Sequence, residues 1–415
     1  MLPAMVSASL GINYGQIGDN LPAPEKAVPL VQSIGATKVR LYDANPLVLR
    51  AFAGTDIELT VEVGNEHLSE MSDPQKALDW VRSNVQEYLP ATNITGIMVG
   101  NEVLTLYDSG LSNNLVAAMQ TIHGALLTLG LDKQIKVTTS HSFNVMETSY
   151  PPSAGAFKQD LTGHITEILE FHNQTGSPFC VNIYPYFAYK ANPEKIPLAY
   201  VVFEPNSGFV DPNTSVKYDN MFFGQIDAVY SALSLLGFEE VSVCVAETGW
   251  PSKGDADEAG ATIDNAAKYN GNLMKMNIEV DVYIFALFNE NRKPGPTSER
   301  NFGLFKPDTS PVYFVGDTTN KLNTTDEASA SLSAIKRFRL ILFLCLASTA
   351  LLSVWGIRLL CGSFHYRIDA VIGNGERKGW KEKKIHDLSG KLVRLLLHIE
   401  LGLNIRAAAN GNMGN

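Results

Sequence analysis

The sequence predicts an α/β protein, a closed (β/α)8 barrel of the TIM type followed by a C-terminal linker, a hydrophobic segment and a basic tail. Three observations carry this. Between residues 10 and about 290, short β-branched or aromatic runs alternate with longer stretches of helical periodicity. The strand-like runs number eight, which favours a closed barrel over an open sheet. With 45% hydrophobic and 18% charged residues over 415 positions, most of the chain can bury a core.

In order, the run at 11–14 precedes a helix at 24–33, and the run at 38–42 precedes one at 46–52. The run at 58–63 leads to a helix at 74–87, opened by Ser72-Asp73-Pro74, since proline suits a first helical position. The run at 94–99 leads to a helix at 113–129, closed by Gly130 in the manner of a C-cap. Runs at 135–139, 179–185 and 241–246 precede helices at 165–173, 220–236 and 258–276, and the eighth run is 281–288. Residues 10–316 are thus expected to form the barrel body. Residues 317–339 read as a polar linker rich in Ser, Thr, Asn and Ala that ends in basic residues. Residues 340–357 run without a charge, the lower limit of a membrane span, and the small residues before them also fit a lipid-anchor signal. Residues 358–415 are a basic tail, either cytosolic or a gene-model artefact.

The net charge is −10, but the tail holds ten Lys or Arg against five Asp or Glu, leaving the first 357 residues at −15. An acidic body argues against nucleic acid as the main partner. Average glycine and proline contents exclude collagen-like and low-complexity readings. Cys180, Cys244, Cys345 and Cys361 form no CxxC pair, so no zinc or redox motif is expected, and Cys180 and Cys244 read as small buried hydrophobes. Asn93, Asn173, Asn213 and Asn323 begin N-x-[ST] sequons and are glycosylation candidates, which favours secretion. Residues 1–9 read as a signal-peptide remnant ending in Val6-Ser7-Ala8; the alternative is a cytosolic protein with a frayed start.

Two strand ends carry the chemistry. Ile97-Met98-Val99-Gly100-Asn101-Glu102 closes the fourth strand, and Val243-Cys244-Val245-Ala246-Glu247-Thr248-Gly249-Trp250-Pro251 closes the seventh. Carboxylates roughly opposed across the mouth of a barrel suit glycosidic hydrolysis, which needs an acid for the leaving oxygen and a base or nucleophile at the anomeric carbon. Tyr14, Tyr42, Tyr184, Tyr186, Phe187, Tyr189, Trp250, Phe285 and Phe288 fall near the same rim, where some would stack on sugar rings and about half would pack in the core. Gly64-Asn65-Glu66 repeats the Gly-Asn-Glu triplet, which leaves Glu66 as an alternative acid.

These stretches resemble the plant endo-β-1,3-glucanases of glycoside hydrolase family 17. The resemblance spans about residues 10–316 and rests on Gly11-Ile12-Asn13-Tyr14-Gly15, Val39-Arg40-Leu41-Tyr42-Asp43-Ala44-Asn45, Val99-Gly100-Asn101-Glu102, Val181-Asn182-Ile183-Tyr184-Pro185-Tyr186-Phe187, Glu247-Thr248-Gly249-Trp250-Pro251-Ser252, and Phe288-Asn289-Glu290-Asn291-Arg292-Lys293 with Glu299-Arg300-Asn301-Phe302-Gly303-Leu304-Phe305. It implies a retaining hydrolase with Glu102 as acid/base and Glu247 as nucleophile. Asn101 is implied as a partner of the sugar 2-hydroxyl, and Glu290, Lys293 and Glu299 as a charged cluster beside the nucleophile. Tyr14, Tyr42, Asn182, Tyr184, Phe187, Trp250, Phe288 and Phe302 complete the expected substrate-binding set. Ala246 departs from the serine common in relatives. No metal or organic cofactor is expected, because acid and nucleophile are both side chains. The expected partner is β-1,3-glucan such as callose, acted on by a monomer that is secreted to the cell wall or held at the outer face of the plasma membrane. A glycan-binding protein on a retired barrel and a mixed β-1,3-1,4-glucanase remain as alternatives.

Overall fold

The computed structural model describes residues 10–276 and 278–314. Expectations for residues 1–9, 315–316, 317–339, 340–357 and 358–415, Asn323 included, lie outside the described residues.

Eight parallel strands close a ring in chain order: β1 Leu10–Tyr14, β2 Lys38–Leu41, β3 Glu58–Val63, β4 Ile94–Asn101, β5 Lys136–Ser142, β6 Phe179–Asn182, β7 Val243–Thr248 and β8 Val282–Ile284. Leu10 pairs with Val282 and Ile12 with Ile284, which removes the last open edge. The principal helices are α1 Ala27–Ser33, α2 Pro46–Ala51, α3 Pro74–Asn84, α4 Ser109–Leu129, α5 Thr162–Thr175, α6 Met221–Leu235 and α7 Ile263–Leu273. After β8 the described chain forms a 3-10 turn, Thr297–Arg300, and isolated bridges between Phe288 and Phe305 and between Phe305 and Pro311.

Local chemistry explains the element ends. Asp73 caps α3 by accepting from the Gln75 and Lys76 amides, and Asn45 caps α2 from Leu47. Asp108 caps α4 in the same way, so this helix starts four residues before the expected 113; Ser109-Gly110 hides the start. Gly130 ends α4 at φ +70°, as expected. On α4, Leu115, Met119, Ile122 and Leu126 share one buried face, each contributing about 1.5–3 kcal/mol. The strand expected to 185 stops at Asn182, because Pro185 opens a short helix, Pro185–Ala191. The helix expected from 258 begins at Ile263, capped by Thr262. Glu258 instead sits buried in the preceding loop, bound to Lys190 and Ser298.

Alternation along the strands separates two cores. Ile97 and Val99 belong to the layer between sheet and helices, whereas Met98 faces a smaller cluster with Cys180, Cys244, Ala246 and Tyr283 inside the barrel. Cys180 and Cys244 are buried side by side, in register on β6 and β7. Gly11 makes room for the Tyr283 ring, since a Cβ there would lie 2.4 Å from it.

Candidate active site

Both carboxylate-bearing strands slip register at their C-terminal ends. On β4, Met98 and Asn101 face Thr138 and Ser140, so one residue is extra. On β7, Val245 and Glu247 face Val181 and Asn182, leaving Ala246 extra. Such bulges bend a strand and re-aim its side chains. Gly100 follows at φ +71°, with no space for a Cβ, which would lie 2.7 Å from Val103 and 3.0 Å from Asn65. Glu102 itself adopts the left-handed region at φ 55°, a strain of about 1–3 kcal/mol that the surroundings must hold. Its amide donates to the Ser140 carbonyl at 2.8 Å. Asn65 clamps the neighbouring residue, accepting from the Asn101 amide at 2.8 Å and donating to its carbonyl at 2.9 Å. Of the repeated triplet, Asn65 therefore serves the site, while Glu66 stays on an exposed turn beside His67, its side chain 74% exposed.

Glu102 and Glu247 line one cleft of about 830 Å³. Arg40, fully buried on β2, ties its floor together. Nη1 donates to Glu247 Oε1 at 2.8 Å; Nη2 donates to Glu62 Oε2 at 3.0 Å, Asn101 Oδ1 at 2.9 Å and Ser140 Oγ at 2.9 Å. Tyr42 donates to Glu247 Oε1 at 2.8 Å and Tyr184 to Oε2 at 2.9 Å. Burial first, then the Glu247 charge, holds both phenols well above their usual range, so they stay donors. Burial alone would lower the Arg40 guanidinium, but Tyr42, Glu247 and Glu62 hold it charged. These donors are what an ionised carboxylate accepts.

Glu102 lies in the opposite setting. Burial, reinforced by the Glu247 charge, raises its pKa against the opposing pull of the Asn182 amide, 2.8 Å away, and of Arg40 and Lys293. Two carboxyl groups in such unlike surroundings suit different chemical roles. Burial likewise raises Glu290, whose Oε1 accepts from the Ile17 amide at 2.8 Å. Gly15 permits that fit, because a Cβ there would lie 2.4 Å from the same oxygen. Lys293 stands 3.9 Å above the Phe285 ring and 3.3 Å from Glu299.

Burial pushes Glu62 up to about 7 despite its bond to Arg40. A carboxyl group raised on folding stabilises the fold below its usual 4.5 and loses that contribution as pH rises to about 7. Glu62→Gln is expected to flatten this part of the stability-against-pH curve, as measured by thermal melts between pH 4 and 8; an unaltered slope contradicts the assignment.

The cleft gathers Tyr42, Asn101, Glu102, Asn182, Tyr184, Phe187, Glu247, Glu290, Lys293, Glu299 and Phe302 from the expected set. Three expected contacts need correction. Trp250 is 0% exposed, with ring centroids 5.1 Å from Tyr186 and 5.6 Å from Tyr269, and its Nε1 donates to the Gly260 carbonyl. Its faces and its one donor are consumed inside the protein. Tyr14 and Phe288, each 2% exposed, meet edge to face at 5.8 Å in the core. None of the three reaches the cleft. Gln16, Phe143, Asn144 and Phe285 line it as well, and Arg40, Glu62 and Ser140 support it. The available signal for Arg40 and Glu62 was a charged residue centred in an apolar strand, Val39-Arg40-Leu41 and Val61-Glu62-Val63.

Among the sequons, Asn173 is exposed on α5, Asn93 is half-buried before β4, and Asn213 is exposed with Nδ2 donating to Ser153 Oγ. Among the described residues, no three His, Cys, Asp or Glu side chains gather as a metal site, and no helix is long and apolar enough to cross a membrane.

A family model for glycosyl hydrolases family 17 matches residues 10–316. Glucan endo-1,3-beta-glucosidase 11 of Arabidopsis thaliana is 58% identical over 327 residues, covering 76% of this chain and 77% of that one. Glucan endo-1,3-beta-glucosidase 10 of the same plant is 55% identical, covering 80% and 81%. Among solved structures, CJP38, a β-1,3-glucanase and allergen of Cryptomeria japonica pollen, superposes with a TM-score of 0.70 at 40% identity, over 74% of this chain and 98% of that one. The match of the whole barrel, together with these relatives, makes the chain a member of glycosyl hydrolases family 17 and hence a glycosidase.

Proposed function

We propose that the protein is an endo-acting hydrolase of β-1,3-glucan that works by double displacement between Glu102 and Glu247. The observation that carries this is the pair of carboxyl groups in one cleft, one surrounded by donors and the other buried with a raised pKa. The names of the relatives support the substrate class.

In the first step Glu102 gives its proton to the glycosidic oxygen as the bond from that oxygen to the anomeric carbon breaks, while Glu247 attacks that carbon. Glu247 Oε1 already accepts from Arg40 and Tyr42, whereas Oε2 accepts from Tyr184. A carboxylate oxygen has two acceptor positions, so Oε2 keeps an electron pair for the new bond. In the second step ionised Glu102 takes a proton from water, whose oxygen attacks the anomeric carbon and releases Glu247. Arg40 and Ser140 hold Asn101 Oδ1, which leaves its Nδ2 to donate to a sugar hydroxyl. Tyr184, Phe187, Phe285 and Phe302 offer ring faces for the pyranose C–H surfaces. The sequons and the apolar run at 340–357 support a secreted enzyme held at a membrane.

Reducing-end release from laminarin, with a mixed β-1,3-1,4-glucan in parallel, tests the reading. Internal fragments of retained β configuration are expected. Because Glu102 must carry a proton, activity falls as pH rises through its raised pKa. Glu102→Gln is expected to lower kcat by about 10²–10⁴ and to remove that basic limb. Wild-type activity matched by the variant refutes the role.

A further inference from the structure

Two segments build the aromatic wall of the cleft. Tyr184 and Phe187 come with the short helix Pro185–Ala191, and Phe302 follows the turn Thr297–Arg300, which also carries Glu299. The Tyr184 and Phe302 ring centroids stand 5.7 Å apart, so a shift of either segment opens the wall. A third segment, the loop 251–262 after β7, binds both of them through Glu258.

The Glu258 side chain is 1% exposed and does not line the cleft. Its Oε1 accepts from Lys190 Nζ on the short helix at 2.8 Å and from the Ser298 hydroxyl on the turn. Its Oε2 accepts from the Ser298 amide at 2.9 Å and from the Asp255 amide of its own loop at 3.0 Å. A carboxylate has about four acceptor positions, so this one is fully used. Burial works against the charge, but the bonds from Lys190, Ser298 and Asp255 outweigh it and bring the carboxyl down to about 2. Two further bonds seat the turn on the loop. Asp255 Oδ2 accepts from the Thr297 amide at 2.9 Å, and the Asn301 carbonyl accepts from the Ser252 amide at 2.8 Å. Gly260, at φ +82°, lets the loop close on Tyr189, because a Cβ there would lie 2.6 Å from that ring.

We propose that Glu258 is a positioning residue for the hydrolysis: it clasps the short helix to the turn, so that Phe187, Phe302 and Glu299 meet the substrate in fixed relation while Glu258 itself stays clear of it. The inference rests on the β-1,3-glucanase reading of the cleft. Its test is kcat and KM of the full chain on laminarin, read well below the melting transition of each variant, together with amide hydrogen exchange of residues 185–191 and 297–302. Glu258→Ala lowers kcat/KM about tenfold to hundredfold, the scale of a misplacement of about 1 Å, and speeds exchange in both segments but not in the barrel strands. Glu258→Gln recovers part of this, because its oxygen can still accept from the Asp255 and Ser298 amides. Lys190→Met frees only the helix side and acts mainly through KM, raising it about threefold. The Lys190 side chain is 28% exposed, so this variant and Glu258→Gln carry the test even if Glu258→Ala does not fold. Wild-type kcat and KM in both of them, whatever their melting temperatures, make the clasp merely structural and overturn the inference while leaving the cleft reading intact. A wild type that does not cut laminarin overturns the cleft reading, and the inference with it.

Discussion

Glu247→Gln is expected to lower kcat on laminarin by at least about 10⁴, the scale seen when a nucleophile is removed from a covalent mechanism. The amide keeps the volume of the carboxylate but cannot form the glycosyl ester. The fold should survive, because the amide oxygen still accepts from Arg40 and Tyr42, and the amide nitrogen faces a Tyr184 hydroxyl that can accept. A melting temperature close to wild type together with lost turnover separates chemistry from stability. Removing the Glu247 charge also removes one cause of the raised Glu102 pKa, so any residual activity should show its basic limb at lower pH. Turnover equal to wild type would leave the double displacement without its nucleophile.

Arg40→Met is expected to cost about 3–5 kcal/mol, because it leaves Glu62 and Glu247 buried without their cation. Calorimetry should show a melting temperature lowered by roughly 5–10 °C. Activity should fall as well, since Asn101 and Glu247 lose their shared anchor. Arg40→Lys should not rescue it. A single ammonium cannot reproduce the fork that meets Glu247 through one terminal nitrogen and Glu62, Asn101 and Ser140 through the other. The pH profile tells a positioning role from a merely structural one. Arg40 lowers the Glu102 pKa, so without it the basic limb should move to higher pH. A variant with wild-type melting and an unshifted profile would contradict this account.

The barrel was legible because each strand is a short apolar run and most helices carry their own caps. The expected 58–63 and the observed Glu58–Val63 coincide. The short helix Pro185–Ala191 and the ribbons at Met146–Thr148 with Ala156–Phe157 and at Phe209–Val210 with Lys217–Tyr218 were not legible. Their segments are too short for a period to emerge. At the site, Glu102 and Glu247 stand out in the sequence because a carboxylate closing an apolar strand is conspicuous, and both line the cleft. The aromatic residues could not be sorted in this way. Tyr184 and Tyr186 are two positions apart, yet one donates to Glu247 and the other packs under Trp250. Strand alternation would put both on one face, but the strand ends at Asn182, and that rule fails beyond it.

The extra residues on β4 and β7 have a further consequence. Both acids are aimed by irregular main chain, so their mutual placement is a property of the scaffold before it is one of rotamers. Grafting Glu102 and Glu247 onto a regular eight-stranded host would carry over the chemistry without the aim; a designer would have to copy the kinked peptide segments first and add the acids afterwards.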